Sequence, residues 1–384
     1  MKYYLIAGEA SGDLHGSNLM RGLKATDPQA EFRFRGGDLM AAVGGTLAHH
    51  YKESDIMGFV EVVTHARRLL NDMSRCKQDI ERWQPDVLIL IDYPGFNFRM
   101  AKWAKSKHIP VFYYIAPKVW AWKEHRVKRL QQYVDRLFII FPFEIDYFKK
   151  WNIDAIYKGN PLIDSIDRDP KVNESRESFL QRNHFDAKPG IALLAGSRKG
   201  EIQFLLPRFL QAAEQLGDNY QFWLAAAPSI DDEVLAPYLA KTTATVNVLR
   251  GETYSILRHS QAAIIASGTA SLEAALIGVP QVVGYGGNPI SFAIAKRLVK
   301  LQYISLANLI LQRGAFREIL QNDCTPQALA QEVKRLIEDT SYRNRMLEDY
   351  RELRELLGGA GASEKVAAAM VKELQGLLKA AGSK

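Results

Sequence analysis

An aspartate ends one of the most apolar stretches of the chain, VLILIDYPGFN at residues 87–97. A strand that is buried on both faces does not hold a charge, so Asp92 is expected where the strand leaves its sheet. The apolar run behind this carboxyl group would raise its pKa and suit it to accept a proton as a general base. A local role is the alternative, because the same carboxylate could cap the following turn through an Asx-type bond.

Two later loops carry residues suited to binding a nucleotide sugar. They are AGSRKGEI at residues 195–202 and ASGTASLEAALIGVP at residues 266–280. Each follows an apolar run and opens a helical pattern, so its first amides are free to bind phosphate oxygens. A guanidinium adds a diphosphate contact, although a surface arginine beside an ordinary glycine turn explains the first loop as well. The residues predicted to bind the donor here are Ser197, Arg198, Gly268, Thr269 and Glu273.

The elements that position these loops are short apolar runs, which alternate with helical patterns along the chain. The runs are YYLIAG, VLILID, VFYYIAP and RLFIIFP, followed by IALLAG, FWLAAAP, AAIIASG and QVVGYG. This alternation predicts two Rossmann-like, doubly wound α/β domains that face a cleft. We expect the domains at residues 1–164 and 165–345. The helical tail, residues 346–384, would cross back to the first domain or swap into a partner.

The composition limits the possible partners. Fifty Lys and Arg residues against 43 Asp and Glu give a net charge of +7, dispersed along the chain. This excess favours an anionic substrate or membrane surface and gives no argument for nucleic acid. Cys76 and Cys324 are far apart and are expected to be reduced packing residues of a cytosolic protein. The apolar start is too short for a signal peptide, and no apolar run is long enough to span a membrane.

Seven motifs appear in order along the chain. They are GEASGD at 8–13, IMGFVEV at 56–62, DYPGFN at 92–97, IAPKVWAWK at 115–123, GSR at 196–198, SGTASLE at 267–273 and YISLANLI at 303–310. Together they resemble the lipid-A-disaccharide synthases, inverting glycosyltransferases of the GT-B fold. The resemblance implies transfer of diacylglucosamine from UDP-2,3-diacylglucosamine to 2,3-diacylglucosamine 1-phosphate. The products would be UDP and the β(1→6) lipid A disaccharide 1-phosphate, and no metal or other cofactor is implied.

The resemblance also implies roles for individual residues. Asp92 would deprotonate the acceptor hydroxyl, and Arg198 would stabilise the departing UDP. Asn308, Glu318 and Gln321 would join the donor-binding residues. The residues expected to bind the acceptor are Glu9, Ser11, Asn97, Trp120 and Arg126.

Two positions depart from the family's usual sequence. Ala307 stands where relatives have proline, and Asn160 stands where they have histidine.

The stretch MGFVEVVTHARRLLNDM, residues 57–73, mixes apolar and basic residues. Taken alone, it fits a membrane-binding helix and a buried helix with solvated arginines equally well. The resemblance favours contact with an anionic membrane, which would place the protein in the cytoplasm, peripheral on the inner face of the cytoplasmic membrane. The sequence leaves a homodimer open. The residues expected to contact the membrane are Met57, Phe59, Val60, Val63, Arg67, Arg68, Leu69 and Leu70.

Two other classes of function remain open at this point. One is another UDP-sugar enzyme of the same architecture, either a polyprenyl-linked glycosyltransferase or an epimerase. Such an enzyme would share the SGT helix start but not IAPKVWAWK or SLANLI. The other is a module that binds UDP-sugar and lipid without turnover.

Overall fold

The computed structural model describes residues 1–55, 62–120, 124–287 and 302–382, and it describes side chains within those ranges except at 54–55, 62–68 and 381–382. The chain forms two compact units. The first unit combines Met1–Ser165 with Leu357–Lys384, and the second is Ile166–Leu356.

The first unit is built on a parallel sheet in which seven strands are described, in the order β3-β2-β1-β4-β5-β6-β7. Its strands are β1 (Lys2–Ala7), β2 (Glu31–Gly36), β3 (Thr46–His50), β4 (Val87–Ile91), β5 (Val111–Tyr114), β6 (Arg136–Ile139) and β7 (Ala155–Tyr157). Its helices are α1 (Ala10–Thr26), α2 (Asp38–Val43), α3 (Lys52–Asp55), α4 (Val62–Trp83), α5 (Pro94–Ser106), α6 (Val127–Tyr133) and α7 (Phe143–Lys149), with α8 (Pro161–Arg168) at its end.

Helices cover both faces of this sheet, which explains the near-continuous apolar strands. Alternate residues of β4 join different cores: Ile89 and Ile91 face α1, whereas Leu88 and Leu90 face α4 and α5. The order reverses between β1 and β4, as it does in doubly wound folds that bind ligands at this switch point.

The second unit repeats the plan with a parallel sheet in which six strands are described, in the order β10-β9-β8-β11-β12-β13. Its strands are β8 (Gly190–Leu194), β9 (Gln221–Ala226), β10 (Val246–Arg250), β11 (Ser260–Ala266), β12 (Gln281–Tyr285) and β13 (Glu318–Leu320). Its helices are α9 (Arg176–Arg182), α10 (Lys199–Leu216), α11 (Asp232–Leu239), α12 (Thr253–His259), α13 (Thr269–Ile277), α14 (Leu306–Leu311), α15 (Pro326–Glu338) and α16 (Thr340–Leu356). The prediction of two doubly wound parallel α/β domains is confirmed.

The last helix, α17 (Ala362–Gly382), belongs to the first unit and packs on α1 of its own chain. The two helices approach closely because Gly22 has no side chain; a Cβ there would lie 2.8 Å from Cβ of Ala367. The return to the first unit begins at Leu357, later than the predicted boundary at residue 346, because α16 packs on helices of the second unit.

Asp164 fixes the start of this last helix. It is buried, and its carboxylate accepts hydrogen bonds from the amides of Gly361 and Ser363 at 2.6 and 2.7 Å. The first amides of a helix have no intrahelical acceptor, so this carboxylate satisfies two donors that would otherwise be unpaired.

We expect Asp164→Ala to lower the free energy of unfolding by roughly 2 kcal/mol or more, because two largely buried amides lose their acceptor. Thermal and urea unfolding would measure the loss. Asp167→Ala is the matched control, since Asp167 pairs with Arg354 at 2.6 Å and both side chains are partly exposed. A pair of that kind contributes at most about 1 kcal/mol. Equal losses in the two variants would contradict the capping role.

Candidate active site

The first candidate site lies where β1 and β4 end side by side. Asp92 follows β4 immediately, and Asp92 and Tyr93 both have positive φ, 43° and 47°. Residues other than glycine adopt this conformation rarely, although aspartate tolerates it better than most. The chain therefore leaves the sheet at Asp92, at the switch point of the fold.

The pKa of the Asp92 carboxyl group is raised, as a general base would require. Its pKa is raised to about 6, chiefly by burial and next by the Glu9 carboxylate, while the Lys118 ammonium and a backbone hydrogen bond at Tyr93 oppose the rise. A carboxyl group with this pKa is mostly ionised near pH 7, yet it accepts a proton more readily than an ordinary aspartate.

The loop after β1 presents Glu9 and Ser11 at the surface, at the start of α1. Gly8 leaves room for a neighbouring ring, since a Cβ there would lie 2.3 Å from Cδ1 of Tyr93. Asp13 of the same motif has a structural role. It is buried and caps α2 by accepting hydrogen bonds from the amides of Gly37, Leu39 and Met40.

Asn97, predicted to contact the acceptor, lies buried inside the first unit. It is 0% exposed, and its Nδ2 donates to the carbonyl oxygens of Ile91 and Asp92 at 3.3 and 2.7 Å. A side chain without exposed surface does not contact a sugar in this arrangement. The structure therefore gives Asn97 a contact within the fold instead of the predicted contact with the acceptor.

Trp120 is partly buried, and its indole Nε1 donates to Glu144 at 3.0 Å while its ring packs edge-on against Phe143. Glu144 is buried, and it also accepts two backbone amides of the turn before α7. Burial raises the pKa of Glu144 to about 7. The indole N–H of Trp120 is thus engaged within the fold. Arg126 ends a short 3₁₀ turn, Glu124–Arg126, and is partly exposed.

The second candidate site lies at the ends of β8 and β11, the central strands of the other sheet. Arg198 stands just before α10 with its side chain 83% exposed. Glu201 accepts hydrogen bonds from the amides of Ser197 and Arg198 at 3.0 and 3.3 Å, and it pairs with the Arg198 guanidinium at 3.1 Å. Arg198 is therefore positioned at a helix start and open to a ligand. Sequence reasoning missed Glu201, although a glutamate three residues after a helix cap is a known signal.

Gly268 and Thr269 are exposed at the start of α13. The first-turn amides of a helix have no intrahelical partner, which makes this end suited to an anion. Glu273, one turn further, accepts a hydrogen bond from the Tyr254 hydroxyl at 3.0 Å. Burial raises the pKa of Glu273, and the bond from Tyr254 opposes that rise.

Asn308 lies in α14, Glu318 begins β13, and Gln321 follows the end of β13. Asn308 is 0% exposed and donates to Glu318 at 2.9 Å. Glu318 also accepts the amides of Ile304 and Ser305, both at 2.9 Å. Asn308 and Glu318 therefore hold the loop before α14 instead of standing open to a ligand. Gln321 begins a 3₁₀ turn with a φ of 51°.

Comparison with known proteins identifies the family. A family model described as lipid-A-disaccharide synthetase matches residues 3–372. The lipid-A-disaccharide synthase of Trichlorobacter lovleyi is 35% identical over 366 residues, which cover 94% of this chain and 95% of that protein. The enzyme of the same name from Geobacter metallireducens is 36% identical over 373 residues, 96% of each chain. The chain belongs to the lipid-A-disaccharide synthase family.

Lipid-A-disaccharide synthases are glycosyltransferases of lipid A biosynthesis, and this chain is such an enzyme. Solved structures support the fold. A UDP-GlcNAc 2-epimerase from Neisseria meningitidis bound to UDP-GlcNAc aligns over 97% of this chain and 100% of its own, with a TM-score of 0.66 and 14% identity. The S. aureus MnaA structure with UDP aligns over 98% and 97%, with a TM-score of 0.67 and 14% identity. At this identity the likeness shows the GT-B architecture alone.

The predicted membrane segment is only partly described. Met57, Phe59 and Val60 lie outside the described residues, and Val63, Arg67 and Arg68 lie in α4 at positions whose side chains are not described. Leu69 is partly buried against the first unit's core, and Leu70 is 63% exposed. In the described part of the chain, no helix is long and apolar enough to cross a membrane. Nor do three or more metal-ligating side chains converge there.

Proposed function

We propose that this lipid-A-disaccharide synthase transfers diacylglucosamine from UDP-2,3-diacylglucosamine to the 6-hydroxyl of 2,3-diacylglucosamine 1-phosphate. The donor is α-linked and the product β-linked, so a single in-line displacement inverts the anomeric carbon. Such a displacement needs one base for the attacking hydroxyl and one stabilising site for the leaving UDP.

The observation that carries the proposal is the Asp92 turn. The carboxyl group of Asp92, with a pKa of about 6, follows the end of β4, and Glu9 and Ser11 are exposed on the loop after the neighbouring β1. In the proposed step, the oxygen of the acceptor hydroxyl attacks the anomeric carbon, and Asp92 accepts the proton of that hydroxyl. Glu9 and Ser11 orient the acceptor sugar, and the partly exposed Trp120 ring and Arg126 contribute further acceptor contacts.

The second unit supplies the donor side. The exposed Arg198 guanidinium and the amides at Gly268 and Thr269 bind the diphosphate and stabilise its charge as the glycosidic bond breaks. Ser197 lies on the Arg198 loop, and Glu273 accepts hydrogen bonds from the ribose. We assign the donor's charge stabilisation to these groups, without a metal.

Turnover with both lipid substrates in detergent micelles tests this reaction. We expect UDP release and a β-linked disaccharide with chelator present. UDP-GlcNAc offered alone tests epimerase chemistry, and a polyprenyl phosphate acceptor tests the other transferase class. UDP binding without any product would overturn the proposal in favour of a binding module.

We also propose that α4 brings the first unit to an anionic membrane, where the lipid substrates reside. The support is the exposed Leu70 beside the basic pair at positions 67 and 68. Apolar side chains next to arginines bind the boundary between headgroups and acyl chains.

We expect Leu70→Ser to weaken binding to vesicles of anionic phospholipid roughly 5- to 10-fold, because a leucine side chain loses its burial in lipid. Vesicle cosedimentation at fixed salt measures the change. Leu378→Ser on α17 is the control, since Leu378 is 38% exposed on another helix of the same unit. Equal losses in the two variants, or no loss in either, would contradict a specific membrane contact at α4.

A further inference from the structure

The Asp92 turn is held from three sides by contacts that the reaction chemistry does not require. Asp92 and Tyr93 are consecutive residues with positive φ, a conformation that persists only where the surroundings impose it. The carbonyl oxygen of Asp92 accepts two hydrogen bonds, from the Tyr113 hydroxyl at 2.6 Å and from Nδ2 of Asn97 at 2.7 Å. Both donors are fully buried.

Each donor comes from a different element. Tyr113 lies on β5, the strand next to β4, and points to the face covered by α5. Asn97 lies in the first turns of α5, and its amide also reaches the carbonyl of Ile91, the last residue of β4. From the third side, the Tyr93 ring packs over Gly8, where no side chain larger than hydrogen fits.

The charge on this turn explains why a firm hold is needed. The Asp92 carboxyl group is partly buried, and both its burial and repulsion from the Glu9 carboxylate disfavour its ionised form in this position. Hydrogen bonds to the carboxylate itself would stabilise its ionised form and weaken it as a base. One such bond, from the backbone at Tyr93, already opposes the raised pKa of Asp92. The two buried side-chain donors instead bind the main-chain carbonyl, which fixes the turn without lowering that pKa further.

We propose that Tyr113 and Asn97 are positioning residues that hold the general base Asp92 through its main-chain carbonyl. This inference rests on the proposed role of Asp92. Neither residue touches the substrate. Their contribution is to keep the carboxylate within reach of the acceptor hydroxyl, where a shift of about 1 Å costs a large part of the rate.

The test compares two adjacent substitutions of one kind. Tyr113→Phe removes a hydroxyl that binds the Asp92 carbonyl. Tyr114→Phe, the control, removes a buried hydroxyl that has no hydrogen-bond partner among the described residues. Both variants keep the ring and the strand, so both should fold. The control lies next in sequence but faces the opposite core.

We expect Tyr113→Phe to lower kcat roughly tenfold with the donor KM unchanged, and to move the acid limb of the kcat/KM profile to lower pH as Asp92 gains access to water. Tyr114→Phe should keep the wild-type kcat and pH profile. If Tyr113→Phe matches Tyr114→Phe in kcat and in the pH profile, the inference is wrong. An inactive wild type would instead contradict the proposed function, so the two failures are distinguishable.

Discussion

Asp92→Asn is expected to reduce kcat by roughly 10²- to 10⁴-fold while UDP binding stays unchanged, because the variant keeps the shape of the side chain but cannot accept a proton. Asparagine also tolerates positive φ, so the turn at 43° should persist. Single-turnover assays with saturating substrates would measure the chemical step, and calorimetry would measure UDP affinity. A variant with more than a tenth of the wild-type kcat would exclude Asp92 as the base.

The pH dependence gives Asp92 a second signature. Since its pKa is raised to about 6, the proposed base is protonated below that value, and wild-type kcat/KM should fall as the pH drops through 6. The remaining kcat/KM of Asp92→Asn should show no such fall as the pH drops through 6.

As the pH rises, the free energy of unfolding should change in the opposite sense from the activity. A carboxyl group whose pKa is higher in the folded state favours folding when protonated, so its ionisation costs stability as the pH rises through about 6. Removing the charge should therefore leave the variant as stable as the wild type at pH 7.5, or slightly more stable. Marked destabilisation there would mean that Asp92 has mainly a structural role.

Arg198→Ala is expected to lower kcat/KM for the donor by roughly 10²-fold or more, because in the proposed reaction the guanidinium binds a diphosphate whose charge grows as the glycosidic bond breaks. Both a higher donor KM and a lower kcat should contribute, whereas the acceptor KM should change little. Thermal unfolding should also change little, since the side chain is 83% exposed and its pair with Glu201 is a surface contact.

Two matched variants separate geometry from charge at this loop. Arg198→Lys keeps the charge but loses the planar fork that binds two oxygens, so we expect partial activity. Lys199→Ala removes an exposed cation from the adjacent position and should leave donor kinetics near wild type. Equal losses in Arg198→Ala and Lys199→Ala would show that only general positive charge matters.

Local patterns account for the architecture. The alternating apolar runs predicted both parallel sheets, because strands covered on two faces must be apolar throughout. Asp92 was recognised by the same logic, as a charge that such a strand cannot hold in its interior. The helix starts at Ser197 and Arg198 and at Gly268 and Thr269 were predicted because glycine-containing turns before helices have recognisable sequences, and their binding to the donor stays a prediction.

Contacts between elements distant in sequence were beyond such reasoning. Asn97 and Asn308 read as surface polar residues beside a site, yet both are fully buried and hold loops. Nothing in the sequence connects Tyr113 to Asp92, 21 positions away, since a buried tyrosine is typical of any strand.

The sequence by itself determined the fold class, the family and the candidate base, because apolar periodicity, turn chemistry and ordered motifs are local properties of the chain. Only the tertiary structure decided which polar side chains face outward and which form hydrogen bonds inside the fold. It brought Tyr113, Asn97 and Gly8 to one turn and raised the pKa of Asp92 by burial. The physical reason is that hydrogen-bond partners and desolvation depend on distances between elements, and those distances exist only after the sheet has assembled.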